Sequence, residues 1–285
     1  MPSGAPLKPS STRRFASGRR RILRRAFIPI GIVAGALILG GCKVPTFGAF
    51  RGATVQGHDE FKLWFGMVIA GLVVAIIVWL LIFWSVAMYR KKKGDDTPPK
   101  QTREHLPLEV IYTTIPIIIV GVIFYFTVVT ENEIDAVPPA AETVHVLAFR
   151  WGWQFTYANG HNVPQHVVIR TAAEPKLLAG NPKSSQYPQL VLPLGERTKI
   201  VLTSNDVVHS FYVPQFNFDR MALPGFTNRF EFTPTRIGVY DAQCNTYCGL
   251  YHSEMLFSVR VVSKGAFASW ISHEQTTQAA QATAS

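Results

Sequence analysis

The distribution of apolar and polar positions gives the chain three textures. Residues 64–89 and 110–130 form two uncharged apolar stretches, the first with Trp64 and Tyr89 at its edges. At about 1.5 Å of rise per residue, each exceeds the roughly 30 Å hydrocarbon core of a bilayer and predicts a membrane-spanning helix. Pro116 lies inside the second, where a membrane helix tolerates it. From residue 142 onward the pattern changes to short apolar and aromatic runs at 144–149, 153–157, 166–169, 190–192, 199–202, 228–232, 238–241 and 255–262. Gly, Pro and Asn break these runs, which predicts the strands of a β-sandwich. Residues 176–187 read as a loop. In the tail, 264–285, the final stretch 275–285 is rich in Gln, Ala and Thr, has little to bury and predicts partial disorder.

The first 25 residues carry Arg13, Arg14, Arg19, Arg20, Arg21, Arg24 and Arg25 and no acid, and an apolar run follows at 26–41. That is the layout of a signal peptide. It ends Leu39-Gly40-Gly41-Cys42, which resembles a bacterial lipobox whose cysteine is lipidated and becomes the mature N-terminus. A retained third helix with an incidental cysteine is the alternative. The expected organisation is then a leader at 1–41, an extracytoplasmic spacer at 42–62, a transmembrane hairpin at 63–130 and a sandwich at 142–263.

Charge orients this arrangement. Arg90, Lys91, Lys92, Lys93, Lys100 and Arg103 crowd between the two spans, whereas residues 131–149 hold no Lys or Arg. The bias places the loop at about 90–107 in the cytoplasm and the sandwich outside. The chain's net charge of +10 resides largely in the leader, so it does not argue for a nucleic-acid partner. From residue 142 onward 11 Lys and Arg face 9 Asp and Glu, which predicts no large field of either sign.

The chemistry is concentrated near the C-terminal end. Cys244, Cys248, His252 and Met255 follow one another at intervals of four, four and three residues. Two thiolates, an imidazole and a thioether select a soft metal, and a Cys/His set with a weak Met ligand suits copper that shuttles electrons. A second imidazole has to come from elsewhere. His209, in Val208-His209-Ser210-Phe211 beyond the apolar run at 199–202, is the candidate, with Asn205 and Asp206 close enough in sequence to orient it. Other readings compete: a disulfide between Cys244 and Cys248, a tetrahedral zinc site that has no use for Met255, or Met255 as a plain core residue.

The combination C-x3-C-G-x2-H-x2-M with an upstream H-S-F resembles subunit II of the haem-copper cytochrome c oxidases. The resemblance implies a membrane-anchored all-β chain: a two-helix hairpin followed by a cupredoxin-like sandwich. It further implies a dinuclear copper centre, CuA. Cys244 and Cys248 would bridge two copper ions, His209 and His252 would each ligate one, Met255 would be a weak ligand, and Thr246 would contribute its backbone carbonyl. Many members have Glu at the position of Thr246 and Asp at that of Met221, and the glutamate also binds magnesium at the interface with subunit I. Threonine cannot replace that carboxylate, so a magnesium site is not implied here with the same force as the copper site.

Two further residues gain a role from the resemblance. Trp151 and Trp153 alternate along a predicted strand, which puts them on one face, where aromatics are ordinarily core. In the family the first of this W-x-W pair, here Trp151, is where electrons arrive from the cytochrome; Gly152 replaces the usual aromatic between them. Glu109, in Leu108-Glu-Val-Ile-Tyr-Thr-Thr-Ile-Pro116, is by itself a helix-end carboxylate at a membrane edge. It matches the family's L-E-x-x-W-T-x-x-P pattern, with Tyr112 for Trp, whose glutamate stands at the entrance of a proton pathway.

The implied function is to take electrons outside the plasma membrane from a c-type cytochrome and pass them to haem in subunit I, where oxygen is reduced and protons are pumped. Subunit III would be a further neighbour. No C-x-x-C-H occurs, so no haem c is expected on this chain. A lipid-anchored copper-delivery protein is the competing class, since it would use the same ligand types without conducting electrons.

Overall fold

The computed structural model describes residues 45–91, 94, 97–98, 101–158, 167–172 and 187–284. Cys42, the leader and all but the last residue of the expected loop at 176–187 lie outside the described residues.

Two long helices come first, α1 (Val55–Met88) and α2 (Leu106–Asp135). Their apolar windows are unburied by the chain itself: Leu80, Phe83 and Ile117 are 63%, 62% and 65% exposed. An uncharged surface of that kind is stable against lipid or an apolar partner and not against water.

Both helices are longer than the apolar stretches that predict them. The expected spacer, 42–62, is a correction: its last eight residues are helical because Thr54 caps α1, accepting the N–H of Gly57 at 3.0 Å, and because the sandwich holds that end. Ala53 N–H donates to Gln215 O at 2.9 Å, Val55 N–H to Thr233 O at 3.0 Å, and Asn217 Nδ2 to Gly57 O at 2.9 Å. A Cβ on Gly57 would lie 2.1 Å from the carbonyl oxygen of Phe216, so only glycine permits this approach. At the corresponding end of α2, Asp135 pairs with Arg220 at 2.6 Å.

Among the described residues the sandwich has ten strands in two sheets: β1 (Glu142–Phe149), β2 (Gly152–Ala158), β3 (Val167–Ala172), β4 (Gln189–Pro193), β5 (Thr198–Ser204), β6 (His209–Val213), β7 (Phe218–Ala222), β8 (Asn228–Phe232), β9 (Gly238–Gln243) and β10 (Leu256–Val262). One sheet runs β3-β2-β1-β5-β8 and the other β4-β10-β9-β6-β7. The pairs β1/β5 and β4/β10 are parallel and the rest antiparallel. Alternation decides the inner faces: Val144, Val146 and Ala148 on β1, Ile200 and Leu202 on β5. Between the sheets Trp153, Phe155, Phe211, Phe230 and Phe257 are fully buried, with the Trp153 and Phe257 rings 4.9 Å apart. Burying each is worth about 1.5–3 kcal/mol, so this aromatic layer is the main store of stability under the site.

Strands β6 and β7 have no counterpart among the apolar runs, since Arg220 and Asp219 interrupt one and His209 and Ser210 open the other. The expectation of a partly disordered tail is also corrected. Residues Lys264–Ala284 form a helix, α3, whose Phe267 and Ile271 are buried and whose Trp270 ring lies 5.2 Å from that of Tyr157. Once this first part is docked, extension costs little, and the Ala- and Gln-rich remainder contains no Gly or Pro to stop it.

Candidate metal centre

The site lies at one end of the second sheet. Strand β6 opens with His209, and the segment after β9 carries Cys244, Cys248, His252 and Met255 back toward β10. Despite their helix-like spacing, these four sit on a folded loop, with a short 3-10 turn only at His252–Glu254. Hydrogen bonds give the loop its shape: Cys244 N–H donates to Met255 O at 3.0 Å, and His252 N–H to Gly249 O at 3.1 Å.

The ligand atoms converge. The two thiols are 3.9 Å apart; His209 Nδ1 is 3.9 Å from Cys244 Sγ, and His252 Nδ1 is 3.5 Å from Cys248 Sγ. Met255 Sδ lies 3.8 Å from Cys248 Sγ, and Cys244 Sγ donates to the carbonyl of Thr246 at 3.2 Å. His209 and Met255 are fully buried, Cys244 and Cys248 nearly so. His209, Cys244 and Cys248 bring their ligand atoms within 4.8 Å of one another. The thiols are not joined as a disulfide.

Electrostatics fit a metal site. Burial holds His209 below the ordinary imidazole range, against the pull of Asp206. Asp206 Oδ1 sits 2.9 Å from His209 Nε2, and Asp206 Oδ2 accepts the backbone N–H of Arg150 at 2.8 Å and its Nε–H at 3.3 Å. Partial burial works against the Asp206 charge, but hydrogen bonds from His209, Arg150 and Val207 outweigh it and bring the carboxyl to about 2. An ionised Asp206 takes the Nε2–H, which leaves the Nδ1 lone pair aimed at Cys244. Burial, followed by the neighbouring Cys244, pushes the Cys248 thiol up to about 12, so metal binding has to expel its proton. Two soft sulfurs, each with its own imidazole, plus a buried thioether and a carbonyl fit copper.

Magnesium does not fit the corresponding neighbourhood. The Thr246 carbonyl is turned to Cys244, and Met221 offers a half-exposed thioether, which a hard cation has no use for. The nearest carboxylate on β7, Asp219, is engaged by Ser210 and Asn245.

Trp151 is not on a strand beside Trp153. It occupies the turn between β1 and β2, half-buried, and donates its indole N–H to the carbonyl of Cys248 at 3.2 Å. Tyr251 packs edge-on at 4.9 Å. Gly249, at φ +119°, gives the indole room, since a Cβ there would come within 3.2 Å of it. Trp153 instead lies in the core, its N–H directed at Met255 O 3.4 Å away. Glu109 is remote from all of this, at the far end of α2, some 40 Å along the helix from Asp135. There it accepts the backbone N–H of His105 at 3.0 Å while His105 Nδ1 accepts that of Leu108 at 3.3 Å. Sequence adjacency pointed to Asp206; nothing local pointed to Arg150, 56 residues away.

Residues 142–262 match the family model for cytochrome c oxidase subunit II, periplasmic domain. The chain is 32% identical over 304 residues to the probable cytochrome c oxidase subunit 2 of Nocardia farcinica, covering 88% of this chain and 81% of that one. It is 35% identical over 272 residues to the probable cytochrome c oxidase subunit 2 of Streptomyces avermitilis, covering 86% and 85%. Among solved structures, the periplasmic domain of subunit II of cytochrome oxidase (CoxB) of Bradyrhizobium japonicum aligns at 27% identity and TM-score 0.41, covering 50% of this chain and 99% of that one.

Proposed function

Given that the chain belongs to the cytochrome c oxidase subunit II family, we propose that it is the subunit through which electrons enter a respiratory oxidase, by way of a dinuclear copper centre. The observation that carries this reading is the pairing of each thiol with its own imidazole, Cys244 with His209 and Cys248 with His252, across a 3.9 Å gap between the sulfurs. Cys244 and Cys248 would bridge two copper ions, with His209, His252, Met255 and the Thr246 carbonyl completing the set. Copper bound this way supplies one-electron redox chemistry with the unpaired electron shared over both metals.

The chain's own residues do the rest. Asp206 holds the tautomer of His209, and the fully buried Trp153, its ring 6.5 Å from the imidazole, helps keep water from it. Trp151 offers a partly buried indole hydrogen-bonded to the backbone of a ligand residue, a short route for an electron arriving from a c-type cytochrome. Deep burial of the thiols argues against a copper-delivery protein, which has to expose ligands to exchange them. The apolar α1 and α2 would span the plasma membrane against subunit I, with subunit III in the same complex and the sandwich outside. A lipid on Cys42 would add an anchor, and the intact mass of the purified subunit tests it.

Electron resonance on the copper-loaded subunit decides the main reading. A signal split by two equivalent copper nuclei, with about two copper ions per chain, is the expected result. A single-nucleus signal would overturn the dinuclear assignment.

A further inference from the structure

The ladder between the two ligand-bearing segments is short. Strands β6 and β9 share one residue pair, Tyr212 with Gln243, so on the ligand side of that pair no ladder bond joins His209 to Cys244. One carboxylate spans the gap. Asp219 on β7 accepts the hydroxyl of Ser210 through Oδ1 and the side-chain amide of Asn245 through Oδ2, the latter at 2.7 Å. Ser210 directly follows His209, and Asn245 directly follows Cys244. Ser210 is 1% exposed, so its hydroxyl needs a partner from within the fold.

We propose that Asp219 is a positioning residue for the copper centre: it clamps the segment of His209 to the segment of Cys244 and so sets the separation of the first imidazole from the first thiol. This rests on the copper reading above and adds to it a residue that ligates nothing. A carboxylate suits the task because its two oxygens accept both hydrogen bonds at once. Register places it there, since β6 and β7 pair Tyr212 with Asp219 and Ser210 with Met221, leaving Asp219 diagonal to Ser210 on one face. Asp219 and Asn245 are both exposed, so their bond adds little to global stability, and its loss is read at the site and not in unfolding.

The test uses the full-length, copper-loaded subunit in its oxidase, comparing wild type with Asp219→Ala, Asp219→Asn and Asn245→Ala. Copper retention against a chelator, the copper electron resonance spectrum and the melting temperature are measured on each. Asp219→Ala should change the copper hyperfine pattern and lower copper affinity by about 10–100-fold, the usual cost of removing a group that orients a ligand. Asp219→Asn should restore both, because its oxygen accepts from Ser210 and the Asn245 amide can turn to meet its NH2. Asn245→Ala should show part of the Ala effect at an unchanged melting temperature. Wild-type spectrum and copper affinity in Asp219→Ala would overturn the proposal. Should that variant fail to fold, an unaltered spectrum in Asn245→Ala overturns it equally. A wild-type chain with no two-copper signal would instead sink the copper reading, and the clamp with it.

Discussion

The indole of Trp151 is hydrogen-bonded to the backbone carbonyl of Cys248 at 3.2 Å, so a partly buried aromatic touches the main chain of a residue whose sulfur lies in the centre of the site. Trp153, two residues on, makes the corresponding contact to Met255 from the buried side. The two tryptophans thus bracket the loop of the candidate metal centre from outside and inside.

That division makes their variants separable. Trp151→Ala should retain copper and fold, yet slow reduction by a c-type cytochrome by orders of magnitude, because the missing ring widens the gap an electron crosses. Trp153→Ala should fail through instability, losing about 3–5 kcal/mol for a fully buried aromatic. Stopped-flow reduction with melting curves on both variants checks the pair. Wild-type rates in a folded Trp151→Ala would place the electron route elsewhere.

Among the proposed ligands, Cys244→Ser and Cys248→Ser should each abolish the two-copper signal, since a hydroxyl is a hard and weakly acidic replacement for a thiolate. His209→Ala should abolish or distort it as well. The native spectrum in any of these three, recorded at matched copper content, would remove that residue from the set.

Glu109 closes the first turn of α2 through His105, so its structural and proton-carrying roles can be pulled apart. Glu109→Gln keeps an oxygen for the His105 N–H and should leave the fold unchanged. Slowed oxygen consumption and proton uptake by the assembled oxidase would then assign the carboxylate to a proton path; unchanged turnover would leave it as a helix cap.

Gly57 tests the junction between hairpin and sandwich. Gly57→Ala forces a methyl group onto the carbonyl of Phe216, so the start of α1 has to move away from Asn217 and Thr233. A loss of about 1–3 kcal/mol is expected, as for other overpacked sites. Denaturant unfolding followed by tryptophan fluorescence measures it, and a neutral result would mean that the junction yields freely.

Much of this was legible beforehand because it depends on local pattern. Two uncharged stretches of more than twenty residues have no stable place in water, so the hairpin followed from composition. Short apolar runs broken by Gly, Pro and Asn announced eight of the ten strands among the described residues. Four of the five proposed side-chain ligands share one segment, where their residue types alone name the metal class. The helices of the spacer and tail were harder to see. Val55–Lys62 owes its helix to Thr54 and to stitching by Gln215, Asn217 and Thr233, and residues 275–284 continue a helix docked by Phe267 and Ile271.

What only the tertiary structure decided is which distant groups meet. His209 and Cys244 belong to segments whose strands share a single ladder pair, and no spacing along the chain encodes the distance between them. The same holds for Arg150 on Asp206, for Asp219 between Ser210 and Asn245, and for Trp151 turned onto Cys248. Sequence determines which side chains can bind copper, because donor chemistry is a property of the residue. Geometry determines which of them do so together, because a metal needs its donors within a few ångströms, and only the folded sheets bring residues 209, 244 and 248 that close.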